Sequence, residues 1–276
     1  MKAVAFDYVV AKRLDDALSA LAEGGEESRI IAGGQSLGPM LNLRLATPSL
    51  LVDIRRIVEL QRVEDTGNAT FIGAAVTHAA IEDGLHPISD RGILGSVARG
   101  IAYRSVRNRG TIGGSVAHAD PAADWVLTLM ALGASVVVKT RTSRHQADLR
   151  GFVRGAFSTA LAHGEIIEGV VVPKVSAAAR WGYYKSCRKP GEYADAMAAV
   201  LIDPDRRVCR IAASAVSRPP VLLEELATVL AESGAAVLER GAVADAVSRA
   251  LPHLDAIEAR VHAAVVGRAI RQAVAS

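Results

Sequence analysis

The strongest constraint in the sequence is a pair of segments in which two adjacent glycines follow β-branched residues. They are IIAGGQSL at residues 30–37 and TIGGS at residues 111–115, and each is predicted to turn out of a strand. Successive N–H groups without intervening side chains form an anion-binding concavity, and glycine lets the backbone approach a phosphate closely. One such turn is weak evidence, but two fit a dinucleotide, whose two phosphates and long body can be held from two sides.

Neither segment matches the common nucleotide-binding motifs. The pattern G-x-G-x-x-G of the nicotinamide-binding folds and the pattern G-x-x-x-x-G-K-[ST] of the P-loop are both missing from these positions. A dinucleotide on this chain is therefore expected to be bound in another way.

Composition excludes several other classes. A chain of 276 residues with 50% hydrophobic content is long enough for two domains or one elaborate domain. The net charge of +3 comes from interspersed basic and acidic residues, which does not favour a nucleic acid as partner. The two cysteines, Cys187 and Cys209, form no C-x-x-C pattern, so neither a disulfide framework nor a protein-held iron–sulfur cluster is indicated. We expect no membrane span and a cytoplasmic location.

Hydrophobic periodicity predicts alternating strands and helices over most of the chain. A β-α-β-α-β unit is predicted up to residue 54, with its second helix opened by Pro39. Further elements are a helix capped by Thr77, helices over residues 92–103 and 122–134, and strands over residues 135–140 and 165–173. Three strands follow near residues 180–187, 196–203 and 206–216, and alanine-rich helices fill the rest.

Four segments together resemble a known family: AGGQSL, LRLATPSLLVDI, RNRGTIGGSVAHADPAADW and YYKSCRKPGEYADAMAAV. They are similar to the FAD-binding medium subunit of the molybdenum hydroxylases, which include aerobic carbon monoxide dehydrogenase and the flavin domain of xanthine dehydrogenase. The resemblance implies an α+β fold, with a two-lobed PCMH-type FAD-binding domain at residues 1–176 (lobes 1–56 and 57–176). A C-terminal domain with a three-stranded antiparallel sheet and helices is implied at residues 177–276.

The resemblance also implies a set of FAD-binding residues. In the two glycine segments these are Ala32, Gly33, Gly34, Gln35, Ser36, Leu37, Thr111, Gly113, Gly114 and Ser115, whose backbone and hydroxyl groups would hold the pyrophosphate. Asp124 would accept from a ribosyl or ribityl hydroxyl, and Lys185 would lie near the isoalloxazine. Beside the ring the resemblance places Ile167 and Tyr193, and Ile101 is a further predicted FAD-binding residue. Two neighbouring tyrosines compete with Tyr193 for that role.

Some of these residues have an ordinary structural interpretation as well. Asp124 can also be the first acidic residue of a helix, where it would stabilise the helix dipole. Lys185 could be a solvated lysine of a strand edge. His78 is expected at the surface or in a cap.

By resemblance, the chain carries FAD and no catalytic or metal-binding residue of its own. Molybdopterin and the [2Fe–2S] clusters would lie on a large and a small partner subunit, in a dimer of heterotrimers. Electrons would reach FAD from the clusters and leave to an external acceptor: a nicotinamide, a quinone, a cytochrome or oxygen. Two alternatives stay open, namely a free-standing flavin-dependent reductase with the same FAD domain and a non-catalytic nucleotide-binding module.

Overall fold

The computed structural model describes residues 2–88, 90–215, 218–239 and 241–276. Its strands are β1 (Asp7–Val10), β2 (Ser28–Ile31), β3 (Leu50–Asp53), β4 (Val63–Asp65), β5 (Ala69–Gly73), β6 (Ser135–Lys139), β7 (Arg144–Asp148), β8 (Val153–Gly155), β9 (Ser158–Thr159), β10 (Ile166–Pro173), β11 (Arg180–Ser186), β12 (Ala196–Asp203), β13 (Val208–Ala215) and β14 (Arg218–Leu222). Its α-helices are α1 (Leu14–Gly24), α2 (Leu37–Asn42), α3 (His78–Glu82), α4 (Ile93–Arg99), α5 (Arg104–Arg107), α6 (Ile112–His118), α7 (Asp124–Leu132), α8 (Leu149–Phe152), α9 (Glu224–Ser233), α10 (Ala242–Ala250) and α11 (Ala256–Ala275).

The first three strands form a parallel sheet in the order β1-β3-β2. Parallel neighbours need a crossover, and α1 and α2 supply the two connections. Leu14, Leu18 and Leu21 recur at helical spacing and bury one face of α1. The predicted β-α-β-α-β order is confirmed. The second helix, however, begins at Leu37, so Pro39 is its third residue.

A second sheet is antiparallel and has the order β4-β5-β10-β6-β7. Its central strand β10 has five consecutive buried residues from Ile166 to Val170, as expected of a strand covered on both faces. The edge strand β7 has the sequence RHQAD and is almost wholly exposed, so it offers no apolar pattern that a sequence analysis could detect.

All nine residues of α7 are buried, which explains why its sequence DWVLTLMAL has no polar face. On one side Val126, Leu129 and Met130 belong to the core that α7 shares with α4, α6 and β10. On another side Leu127 and Ala131 pack with residues of β12 and β13. The helix therefore joins the five-stranded sheet to the sheet that follows it in the chain.

The last sheet is antiparallel and has four strands in the order β11-β12-β13-β14, one more than the sequence prediction. The extra strand β14 reads RPPVL, and its two prolines indicate a loop because proline cannot donate to a strand ladder. Proline is tolerated here because β14 is an edge strand. The predicted third strand included Val216, which lies outside the described residues.

Alternate residues of β12 face two different cores. Ala196, Ala198 and Val200 pack with α9, α10 and α11, whereas Met197 and Ala199 pack with α7. Gly182 on the neighbouring strand lets α11 come closer still, since a Cβ atom there would lie 1.9 Å from the carbonyl oxygen of Ala269. The small side chains of the sequence thus serve close helix-on-sheet packing.

Candidate cofactor-binding site

The first glycine segment forms an open loop between β2 and α2. Gly34 has a φ of 70°, a conformation that favours glycine, and the Gln35 side chain donates to the carbonyl oxygen of Gly33 at 3.1 Å. Residues 32–37 are all half-buried. Among the described residues, none of their backbone N–H groups donates to a protein acceptor. Six consecutive donors without a protein acceptor are the feature that an anion-binding loop requires.

The second glycine segment differs from the prediction, because Gly113, Gly114 and Ser115 lie in the first turn of α6 and not after a strand. Thr111 caps this helix by accepting from the N–H of Gly114 at 3.1 Å. The N–H groups of Ile112 and Gly113 donate to the carbonyl oxygens of Val76 and Ala74.

The backbone N–H groups in the first turn of α6 are therefore all engaged within the protein. The N–H of Ser115 is also engaged, with the carbonyl oxygen of Thr111 at 3.0 Å. In the described part of the chain the N–H of Thr111 is the one backbone donor of the second glycine segment without a protein acceptor, so the donors available to an anion lie mainly in the first segment. Besides this N–H, the second segment offers a ligand hydroxyl groups, chiefly that of the half-buried Ser115 side chain.

The two glycine segments nevertheless meet. A Cβ atom at Gly33 would lie 2.1 Å from the carbonyl oxygen of Arg109 and 2.7 Å from the Cα of Gly110. A Cβ atom at Gly114 would lie 3.8 Å from the Cβ of Ala32. The absence of side chains at these glycines lets the first loop lie directly on the backbone that leads into α6, so both segments can contact one ligand.

Asp124 is the first residue of α7 and is also half of a buried ion pair. Its carboxylate accepts from the Lys185 ammonium at 3.1 Å and from the Tyr183 hydroxyl at 2.6 Å. The side chains of Asp124 and Lys185 are 7% and 11% exposed. Burial raises the pKa of Asp124, an effect that the Lys185 charge and the Tyr183 hydrogen bond oppose. Burial and the adjacent Asp124 carboxylate raise the pKa of Tyr183.

A cleft of about 560 Å³ opens beside this cluster, between α4, α5 and the end of β11. Its lining residues are Ser96, Arg99, Gly100, Ala102, Tyr103, Arg104, Arg107, Tyr183, Lys185, Cys187, Pro190 and Gly191. Gly191 closes one side with a φ of 86°, and a Cβ atom there would lie 2.7 Å from the carbonyl oxygen of Ala102.

Three further residues that were predicted to bind FAD have different surroundings. Ile101 is half-buried between two lining residues of the cleft, Gly100 and Ala102. Tyr193 is 67% exposed, two residues after the lining residue Gly191. Ile167 is 4% exposed within the main core and does not line the cleft. The structure thus places Lys185 in the cleft wall, Ile101 between two lining residues, and Ile167 in the core away from the cleft.

His78 is buried, contrary to the expectation of a surface or cap position, whereas Thr77 does cap α3 as predicted. Its Nδ1 accepts from the indole N–H of Trp125 at 2.9 Å. Burial, reinforced by the Arg107 charge, lowers the pKa of His78 from 6.5 to about 4. A single histidine at the start of a helix gives no sequence signal of this environment, because the burial comes from a partner 47 residues away.

The lowered pKa of His78 predicts that acid destabilises the protein. Between pH 6.5 and 4 the unfolded chain binds a proton that the folded chain does not, so the free energy of unfolding falls as the pH falls through this window. The loss reaches about 3 kcal/mol at most. Urea unfolding at several pH values should show it, and the slope should flatten in His78→Asn. His145→Asn, an exposed histidine on β7, should keep the wild-type slope. A His78→Asn curve that parallels the wild type would contradict the prediction.

Comparison with known proteins identifies the family. The family described as "FAD binding domain in molybdopterin dehydrogenase" matches residues 4–175. The chain belongs to this family. It is 39% identical over 207 residues to the 6-hydroxypseudooxynicotine dehydrogenase complex subunit alpha of Paenarthrobacter nicotinovorans. The aligned region covers 75% of this chain and 70% of the relative.

Two solved structures share the fold over the whole chain. Reconstituted CO dehydrogenase from Oligotropha carboxidovorans superposes with a TM-score of 0.91 and 31% identity, covering 100% of this chain and 99% of the other. Quinoline 2-oxidoreductase from Pseudomonas putida 86 gives a TM-score of 0.88 at 31% identity, with the same coverage. The α+β fold and the resemblance to the molybdenum hydroxylases are confirmed. The chain is an FAD-binding component of an oxidoreductase.

The site of this structure fits FAD by its own chemistry. The free N–H groups of residues 32–37 suit a pyrophosphate, and the absence of a side chain at Gly33 lets this loop lie directly on the backbone that leads into the second segment. In the described ranges no group of three or more histidine, cysteine and acidic residues could hold a metal ion. No described helix has the length and apolar character needed to cross a membrane.

Proposed function

We propose that this chain is the FAD-carrying electron-transfer subunit of a molybdenum-containing hydroxylase or dehydrogenase. It would receive electrons from [2Fe–2S] clusters of a partner subunit and pass them to an external acceptor. The observation that supports this best is the loop of six unengaged N–H groups lying on the second glycine segment, in a chain of the FAD-binding family. A cytoplasmic location stays a prediction from the sequence.

Each part of the site has a proposed role. The N–H groups of Ala32, Gly33, Gly34, Gln35, Ser36 and Leu37 bind the pyrophosphate, and the Ser115 hydroxyl adds one hydrogen bond. Lys185 presents a positive charge to the cleft, which favours electron density on a ring bound there. FAD bound at these residues would supply the chemistry of accepting electrons from the partner and releasing them to the acceptor. Asp124 holds the Lys185 side chain in place.

The partners are proposed from the chemistry that this chain lacks. An iron–sulfur cluster requires about four cysteine thiolates, and the sequence has two cysteines. The clusters are therefore assigned to a small partner subunit and molybdopterin to a large one, in a dimer of heterotrimers. The relatives and solved structures carry names for different substrates, a nicotine derivative, CO and quinoline, which agrees with a substrate pocket on another subunit.

We propose a domain boundary near residue 176. Ser176 donates from both its N–H and its hydroxyl to Asp203, which fixes this residue to the end of β12. The FAD-binding domain then comprises residues 1–176, with lobes 1–56 and 57–176, and the C-terminal domain residues 177–276. Because α7 packs on both sheets, the two domains are expected to unfold together.

The proposed function can be tested by expressing the chain alone and together with the proteins encoded by the genes next to its own. The purified chain should contain FAD, and it should co-purify with a large molybdopterin subunit and a small [2Fe–2S] subunit. Anaerobic addition of the substrate of the complex should bleach the flavin absorbance of the complex but not of the lone chain. A lone chain that oxidises a nicotinamide at the expense of an organic substrate would support the free-standing reductase instead. A chain that binds no flavin would refute both.

A further inference from the structure

His78 contacts both parts of the chain that frame the candidate site. Its backbone N–H donates to the carbonyl oxygen of Gly110 at 2.9 Å, and its ring lies on the same residue. A Cβ atom at Gly110 would lie 2.7 Å from the Nε2 and 2.8 Å from the Cδ2 of His78. Glycine at position 110 thus lets the imidazole occupy the space next to the turn that leads into α6.

The other contact of His78 is with the start of α7. Trp125 is 1% exposed and follows Asp124 directly, and its indole N–H donates to the Nδ1 of His78 at 2.9 Å. An indole N–H can only donate, so Nδ1 is the acceptor, and the neutral ring carries its proton on Nε2. The two rings lie 5.8 Å apart at an angle of 49°.

The turn that His78 holds is also the surface on which the FAD loop lies. Gly33 packs on the carbonyl oxygen of Arg109 and on the Cα of Gly110, with no room for a Cβ atom. A displacement of Gly110 therefore moves the support of the first loop. Through Trp125 the same histidine fixes the helix that begins with Asp124, the partner of Lys185.

We propose that His78 is a positioning residue for FAD: as a neutral acceptor for Trp125 it holds the Arg109–Gly110 turn and the start of α7 in register, and so aligns the pyrophosphate loop with the Asp124–Lys185 pair. His78 is not proposed to contact the cofactor. The inference rests on the proposed function, because it takes the loop at residues 32–37 as the pyrophosphate site.

Two substitutions of His78 separate its hydrogen bond from its volume. His78→Asn places an amide oxygen near the position of Nδ1, and this oxygen can still accept from Trp125. His78→Phe retains a ring of similar size but has no acceptor, and it leaves the buried Trp125 N–H without a partner. The full-length chain is purified, stripped of FAD and checked by circular dichroism. Its dissociation constant for FAD is then measured by quenching of the FAD fluorescence.

The expected result is a dissociation constant raised roughly tenfold or more in His78→Phe and within roughly threefold of the wild type in His78→Asn. Trp125→Phe, which removes the donor instead, should raise it to a similar extent. The double variant His78→Phe/Trp125→Phe should bind FAD no more weakly than the weaker-binding single variant, because both substitutions remove the same hydrogen bond. Trp125→Phe also carries the test if His78→Phe does not fold.

Two outcomes would overturn the inference. One is a wild-type affinity for FAD in both His78→Phe and Trp125→Phe, even with lowered melting temperatures, since His78 would then only support the fold. The other is an equal loss of affinity in His78→Asn and His78→Phe, since the hydrogen bond would then not matter. A wild-type chain that binds no FAD would instead refute the proposed function.

Discussion

Gly33→Val is expected to leave the purified chain without flavin. The new side chain would begin 2.1 Å from the carbonyl oxygen of Arg109, so the first loop must lift off the second segment. The N–H groups of residues 32–37 would then be displaced from the second segment. We expect FAD affinity to fall at least a hundredfold, about 2.7 kcal/mol of binding free energy. The ratio of flavin absorbance to protein absorbance, with the dissociation constant of the reconstituted variant, measures the loss.

Three matched substitutions separate this effect from general damage. Gly38 lies five residues further on, and a Cβ atom there meets nothing within 4 Å, so Gly38→Ala should retain full flavin. Gly114→Val should reduce the affinity, because its Cβ would lie 2.8 Å from the Thr111 hydroxyl that caps α6. Ser115→Ala should cost less than Gly114→Val, about 1 kcal/mol, since it removes one hydrogen bond. Full occupancy in folded Gly33→Val and Gly114→Val would show that these two glycines serve only the fold and not FAD binding.

The sequence predicts the elements whose apolar pattern is local. Continuous or periodic apolar residues are enough to predict the buried helix α7, the central strand β10 and the first β-α-β-α-β unit. Edge strands are different. An edge strand leaves one side unpaired and facing solvent, so the prolines of β14 and the polar residues of β7 are compatible with a strand there. Neither sequence has the apolar pattern by which a strand is predicted.

The two glycine segments were recognised as a pair, but their roles could not be separated from the sequence. Both have Gly-Gly followed by a polar residue, and only the fold shows which N–H groups are already engaged. In the second segment the acceptors are the carbonyl oxygens of Val76 and Ala74, which follow a strand of another part of the chain. The first segment has no such neighbour and retains its donors.

The side chains that contact Asp124 could likewise not be predicted from the sequence. Helix-terminal acids are common, and the position of Asp124 at the start of α7 was among the expected alternatives. Its pairing with Lys185 joins residues 61 positions apart, and the Tyr183 hydroxyl joins the same carboxylate. Such contacts depend on the packing of β11 beside α7, for which no local pattern exists.

The buried ion pair gives the second large expected effect. Lys185→Met retains most of the side-chain volume but removes the charge that opposes the burial of Asp124. Breaking a buried pair leaves an uncompensated charge, so the free energy of unfolding should fall by about 3–5 kcal/mol near neutral pH. Urea unfolding measures the loss. Arg150→Met, which breaks the exposed pair of Arg150 with Glu224 (side chains 62% and 64% exposed), should cost less than about 1 kcal/mol.

The pH dependence and a double variant identify the charge on Asp124 as the cause of this loss. Without Lys185 the pKa of Asp124 rises further, because the remaining burial disfavours the carboxylate. The folded state then binds the proton more tightly than the unfolded state, so the Lys185→Met deficit should shrink as the pH falls below that raised pKa toward the pKa of the unfolded chain. Lys185→Met combined with Asp124→Asn should recover part of the stability, since no charge is left buried. A deficit that is independent of pH, with no recovery in the double variant, would mean that Lys185 stabilises the fold through its packing and not through Asp124.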